Sequence, residues 1–169
     1  MHDLKRHIVE VPDFPRPGIL FRDFTPLLRQ QFAATLEALE ALFDASVWNA
    51  IDALGGIESR GFILAAGLAA RRGKGFLAIR KGGKLPPPVE AIDYELEYGN
   101  GKLELQRGSG RVLLFDDVVA TGGTMAAAAQ LCTTAGYEVA GLAALIDLRL
   151  RGELFQWRGM LLRSVLRYG

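Results

Sequence analysis

The segment from Val112 to Thr124 constrains this chain more than any other. Val112-Leu113-Leu114-Phe115 is apolar without a break, Asp116-Asp117 follows, and Thr121-Gly122-Gly123-Thr124 leads into an alanine-rich helix expected to run from about Thr124 to Thr134. An unbroken apolar run suits a strand covered on both faces, as in parallel sheets. A glycine turn leading directly into a helix completes a strand–turn–helix unit. In open sheets built from such units, ligands bind at the carboxyl ends of the strands.

The remaining sequence fits the same architecture. Pro12, Pro15 and Pro17 with Gly18 punctuate the N-terminal segment, which reads as a short helix followed by an extended loop. Phe32, Leu36, Leu39 and Phe43 recur at helical spacing and predict one face of an amphipathic helix packed on the core. A buried strand is expected at 51–54, ending in a Gly55-Gly56 loop, then a helix over 61–71 and a strand at 76–79. Residues 82–88 hold glycines and prolines in quick succession and read as a loop. Tyr94, Leu96 and Tyr98 alternate with Glu95 and Glu97, and Leu103 and Leu105 resume the alternation, which predicts a hairpin turning at Gly99-Asn100-Gly101. Gly136 caps the alanine-rich helix, and further strands are expected at 139–146 and 161–166. Strands alternating with helices predict an α/β fold, a mostly parallel sheet flanked by helices, in a single domain over residues 1–169.

The central segment also carries chemistry. Glycines let the backbone approach a ligand closely and take positive φ. Amide N–H groups then converge where the helix dipole favours an anion, and Thr121 and Thr124 add hydroxyls. This is a phosphate cradle formed by Thr121, Gly122, Gly123 and Thr124. Two carboxylates beside it would repel a bare polyphosphate, yet they suit sugar hydroxyls and a positive charge developing nearby. The combination points to a ribose 5-phosphate. The chain has neither the G-x-x-x-x-G-K-[ST] loop nor a G-x-G-x-x-G turn after a strand.

Composition narrows the function classes. With 20 basic and 19 acidic residues the net charge is +1, which argues against a dedicated nucleic-acid binder. No apolar run approaches the roughly 20 residues of a membrane span. Cys132 is the sole cysteine, so no intrachain disulfide forms and a reducing cytoplasm is expected. His2 and His7 are isolated, and Trp48, Trp157 and Cys132 read as packing residues.

The stretch 112–124 resembles the motif with which type I phosphoribosyltransferases bind 5-phosphoribosyl pyrophosphate (PRPP), and the resemblance extends over nearly the whole chain. It implies that Asp116 and Asp117 hold the ribose hydroxyls while the 120–124 turn holds the 5′-phosphate. Pro15-Arg16-Pro17-Gly18-Ile19-Leu20-Phe21-Arg22-Asp23-Phe24-Thr25-Pro26-Leu27-Leu28 resembles the N-terminal signature of adenine phosphoribosyltransferases. By that resemblance Phe21 stacks on adenine, the backbone of Leu20 and Arg22 reads its edge, and residues 1–30 contribute a small base-binding hood. Glu58-Ser59-Arg60 resembles the pyrophosphate loop, with Arg60 as its grip. Arg80, Lys81 and Lys84 would neutralise the diphosphate, and Glu97, in Tyr94-Glu95-Leu96-Glu97-Tyr98-Gly99, matches a general acid or base near the purine. The implied reaction converts adenine and PRPP to AMP and pyrophosphate, a purine-salvage step. Mg²⁺ would be carried by PRPP with no dedicated protein cage, and the chain would form a homodimer. The alternatives are a phosphoribosyltransferase for another base and a non-catalytic PRPP-binding regulator. Phe115 stands where the family usually has an aliphatic residue, and Pro86-Pro87-Pro88 is richer in proline than its covering loop.

Overall fold

The computed structural model describes residues 3–96, 99–150 and 152–169. The chain divides into two compact units, Met1–Ala38 and Leu39–Gly169.

In the first unit a short 3₁₀ turn, Leu4–His7, precedes strands β1 (Val9–Val11) and β2 (Phe21–Asp23), which pair antiparallel. The expected extended loop between them is held by its own chemistry. Asp13 accepts a hydrogen bond from the Gly18 N–H at 2.7 Å, and the Phe14 and Phe21 rings meet edge-on at 5.2 Å. His7 approaches Gln30 at 2.9 Å. Helix α1 (Thr25–Glu40) carries the chain across the unit boundary and is broken in phase at Gln31, where φ is −137° and ψ 34°. One sequence expectation is corrected after the break. Leu36 and Leu39 are buried as predicted, but Phe32 remains 37% exposed, and Phe43 is buried beyond the helix end. Phe32 stands in the first turn after the break, at the end of the face that Leu36 and Leu39 continue.

The second unit is built on an eight-stranded sheet. After the short helix α2 (Ala45–Ala50) come β3 (Ala53–Ile57), α3 (Arg60–Arg72), β4 (Gly75–Lys81), β5 (Val89–Leu96), β6 (Gly99–Gln106), β7 (Gly110–Val119), α4 (Gly123–Thr134), β8 (Tyr137–Asp147), β9 (Gln156–Trp157) and β10 (Met160–Arg167). The strand order is β5-β6-β4-β3-β7-β8-β10-β9. Strands β4, β3, β7, β8 and β10 run parallel, and β5, β6 and β9 extend the two ends antiparallel. The predicted α/β fold with a mostly parallel sheet is the observed one.

Two glycine segments differ from expectation. Gly55 and Gly56 lie inside β3 rather than in a loop after it. A Cβ on Gly56 would sit 3.0 Å from the Ala65 Cβ and from the Gly61 carbonyl oxygen. Glycine here sets how closely α3 lies on the sheet. Gly99-Asn100-Gly101 likewise belongs to β6, and Gly101 pairs with Tyr94, whose ring would come within 2.6 Å of an added Cβ. The glycine makes room for the aromatic ring across the ladder.

The core lies on both faces of the sheet. One cluster joins Val112, Leu114, Leu142 and Ala144 of the central strands to Met125, Ala128, Leu131 and Cys132 of α4. Alternation turns Leu113 and Phe115 to the other face. There Phe115 meets Phe43 at 6.3 Å, Phe43 meets Trp48 at 6.1 Å, and the Arg72 guanidinium of α3 lies over Trp48 at 5.1 Å. Phe115 thus fits this chain because a second aromatic ring fills the space beside it. Cys132 is buried, and burial pushes its thiol up to about 12.

Candidate active site

Strand β7 delivers Asp116 and Asp117 to the carboxyl end of the sheet within the strand itself, and both are buried. The Asp117 N–H donates to Asp116 Oδ1 at 2.9 Å. Burial, and next the neighbouring Asp117 charge, push the Asp116 carboxyl well above the usual carboxylate range. Past Ala120 the chain turns through Gly122, whose φ of +88° is a left-handed conformation open to glycine, and enters α4. No side chain caps the first turn of α4, so its N–H groups are available to an anion.

A cavity of about 320 Å³ lies on this feature. Asp116, Ala120, Thr121, Gly122, Gly123 and Thr124 line it, so the predicted phosphate turn and one predicted acid share one space. Glu95 and Met125 line it too, and neither was expected there. The Glu95 carbonyl oxygen lies 3.3 Å from where a Cβ on Gly123 would stand, which brings the end of β5 against the turn. Glu97 lies outside the described residues.

Asp117 is not part of that lining; it faces α3. The Arg60 guanidinium, at the start of α3, stands 2.6 Å from Asp117 Oδ2. Gly61 makes this approach possible, since a Cβ there would lie 3.0 Å from the Phe115 carbonyl oxygen and 3.2 Å from Asp116 Oδ1. The residue expected to grip a diphosphate and the acids expected to hold a ribose are therefore neighbours. Ser59 stands at the N-cap of α3 with no side-chain capping bond.

Glu58, one residue earlier, gathers the predicted basic group. Lys84 Nζ lies 2.6 Å from Glu58 Oε1, Arg80 Nε 3.3 Å from Oε2, and the Lys81 N–H donates to Oε2 at 2.9 Å. The carboxyl of Glu58 is held at about 2, chiefly by Lys84, against a burial that works the other way. Glu104 anchors the same loop from β6, accepting from the N–H groups of Gly83, Lys84 and Leu85. Burial tends to raise its carboxyl, and the three donors outweigh burial and lower it. The loop at 82–88 is thus tied to the sheet. Glu104 is buried although it alternates along β6 with Leu103 and Leu105, which are buried too. Phe21 and Arg22 lie in β2 of the first unit, and Leu20 immediately precedes it.

No described helix is long and apolar enough to cross a membrane.

A strand-end acid pair, an uncapped helix turn lined by glycine and threonine, and a neighbouring arginine form a site suited to a phosphorylated sugar bearing a further anionic group. The chain belongs to the phosphoribosyltransferase family: the family model for the phosphoribosyl transferase domain matches residues 27–154. Among the proteins it is similar to are adenine phosphoribosyltransferases. It is 50% identical over 168 residues to an adenine phosphoribosyltransferase of Hydrogenovibrio crunogenus, covering 99% of this chain and 97% of that protein. It is 52% identical over 152 residues to one of Bdellovibrio bacteriovorus, covering 90% and 92%. Among solved structures, the adenine phosphoribosyltransferase of Rhodothermus marinus matches with a TM-score of 0.85 at 43% identity, over 97% of this chain and 96% of that one. The Saccharomyces cerevisiae enzyme, solved with an imino-altritol bisphosphate and adenine, matches with a TM-score of 0.86 at 32% identity, over 97% of both chains.

Proposed function

We infer that this chain transfers the 5-phosphoribosyl group of PRPP to adenine, releasing AMP and pyrophosphate. The observation that carries this reading is the cavity in which Asp116 lies beside the open first turn of α4. The relatives' shared activity supplies the choice of base.

Each group has a role in the bond changes. The C1′–O bond breaks and its electrons leave with the diphosphate, so positive charge grows on the ribose while the adenine N9 lone pair forms the new bond. Asp116 and Asp117 accept the sugar hydroxyls and offset that positive charge. The 120–124 turn and the α4 amides hold the 5′-phosphate. Arg60, with the Glu58–Ser59 loop and Arg80, Lys81 and Lys84, takes the diphosphate. Glu97 takes or supplies the proton at the base. Leu20, Phe21 and Arg22 bind adenine from a hood that residues 1–30 help to form.

Among the described residues no group of three or more metal-binding side chains occurs. The buried carboxylates of Asp116 and Asp117 offer hard oxygens suited to Mg²⁺ whose other ligands come from phosphate. When bound, the ion would help neutralise the diphosphate. The active form is a homodimer in the cytoplasm. This placement agrees with a single buried cysteine and no possible intrachain disulfide.

The test is a panel of bases with PRPP and Mg²⁺, followed by AMP and pyrophosphate release. Adenine is expected to react far faster than hypoxanthine or guanine. Equal or faster reaction of a 6-oxopurine would refute the choice of base, and no pyrophosphate with any base would mark a non-catalytic PRPP-binding regulator.

A further inference from the structure

Glu104 is a buried carboxylate to which the reaction assigns no role. It lies on β6, is 4% exposed, and stands opposite Arg80 of β4 in the ladder. Its Oε2 accepts from the Gly83 N–H at 2.8 Å, and its Oε1 accepts from the N–H groups of Lys84 and Leu85. Gly83 takes a φ of +83°, and a left-handed residue lets successive N–H groups gather into an anion-binding hollow. Here the anion is the protein's own. Burial keeps Glu104 away from substrate, so any part it has in the reaction runs through what it holds.

What it holds is the loop that carries Lys84. The Lys84 side chain is 46% exposed, and its Nζ lies 2.6 Å from Glu58 Oε1. Arg80 stands with Nε 3.3 Å from Glu58 Oε2 and donates from Nη1 to the Lys84 carbonyl at 3.4 Å. Glu58 is itself tied to β4, its N–H donating to the Ile79 carbonyl at 3.0 Å. Two carboxylates thus clamp the basic loop, Glu104 by its backbone and Glu58 chiefly by its side chains. A long side chain can swing from Glu58 to an arriving anion. The backbone that Glu104 holds stays in place and sets how far Lys84 can reach.

We propose that Glu104 is a positioning residue for the diphosphate subsite, its carboxylate fixing residues 83–85 so that Lys84 and Arg80 are presented to the diphosphate. This rests on the function proposed above and deepens it. Placement matters because a shift of about 1 Å in a positioned group can cost about a hundredfold.

Glu104→Gln tests the assignment, because a carboxamide has one acceptor oxygen where the carboxylate has two. Whichever way the amide turns, its N–H₂ faces a backbone N–H, either that of Gly83 or those of Lys84 and Leu85. The probes are inorganic pyrophosphate and ribose 5-phosphate, each titrated with Mg²⁺ into wild type and variant. We expect Kd for pyrophosphate to rise at least about tenfold. Kd for ribose 5-phosphate is expected to stay nearly unchanged, because β4 and β3 separate β6 from the strand that leads into the 120–124 turn. An unchanged pyrophosphate affinity would overturn the proposal. So would an equal loss for both probes, the pattern of a merely structural role. Should the Gln variant not fold, Glu104→Asp serves, since it keeps the charge and draws both oxygens back by one methylene. Its Kd for pyrophosphate is expected to rise at least about threefold at unchanged ribose 5-phosphate affinity, and wild-type affinity for both probes would overturn the proposal equally. Lys84→Ala separates this from the reading beneath it. If pyrophosphate binds that variant as tightly as wild type, the basic loop does not take the diphosphate, and that reading falls and the proposal with it.

Discussion

Asp116 sits where its own charge is disfavoured, and the sign of the consequence can be worked out. Its folded pKa lies well above 3.8, first through burial and then through the Asp117 charge. The folded protein therefore holds a proton that the unfolded chain releases once pH passes 3.8, and wild-type stability falls as pH rises from there toward the folded value. Asn at this position carries no such penalty. Asp116→Asn is expected to melt higher than wild type, with the gap widening from pH 4 toward neutrality. Changing both acids to Asn is expected to keep PRPP bound appreciably while kcat falls at least about a hundredfold, the pattern of a lost transition-state interaction. Melting curves and steady-state kinetics on the same preparations check both. A folded double variant with near-wild-type turnover would end the proposed role of the pair. These acids and the 120–124 turn were legible because their chemistry is contiguous in the sequence. Glu104 was not, since it reaches the 83–85 amides only through the pairing of β6 with β4.

At the scale of elements, the loop from β3 into α3 governs the site. Residues 58, 59 and 60 stand at the end of a strand that α3 covers closely, and the closeness depends on Gly56 and Gly61. An Ala at position 56 would put its Cβ 3.0 Å from the Gly61 carbonyl oxygen and 3.1 Å from the Phe62 Cα, both backbone atoms with little freedom to move. Gly56→Ala is therefore expected to destabilise by about 1–3 kcal/mol in urea unfolding. It should also weaken PRPP use, because the start of α3 carries Arg60. Loss of less than about half a kcal/mol would show that α3 slides freely on the sheet. The sequence told the elements apart well and their ends less well. Gly55-Gly56 and Gly99-Asn100-Gly101 look like punctuation, yet each lies within a strand, where it admits a neighbour that the linear pattern does not reveal. Likewise the helix breaks at Gln31, just before Phe32, and no residue type nearby announces it.

Across the molecule, charge is balanced within the site as well as in the total. Glu58 gathers Lys84 and Arg80, Asp117 stands beside Arg60, and Glu104 holds the backbone of the basic loop. The parallel character of the central strands was foreshadowed by alternating strands and helices, whereas their order and the antiparallel ends of the sheet follow from pairings that periodicity does not encode. The lone thiol has a practical consequence. Cys132 lies on the helix whose first turn forms the phosphate cradle, and burial raises its pKa to about 12. Reagents attack thiolates that they can reach, so the folded chain should be nearly silent to a disulfide dye. Colour then develops only as fast as α4 exposes its inner face, which turns the molecule into its own stopwatch. If PRPP is held by that first turn, a concentration about a hundred times its Kd should slow the clock about a hundredfold. A pace that ignores PRPP would mean that α4 opens without releasing the ligand.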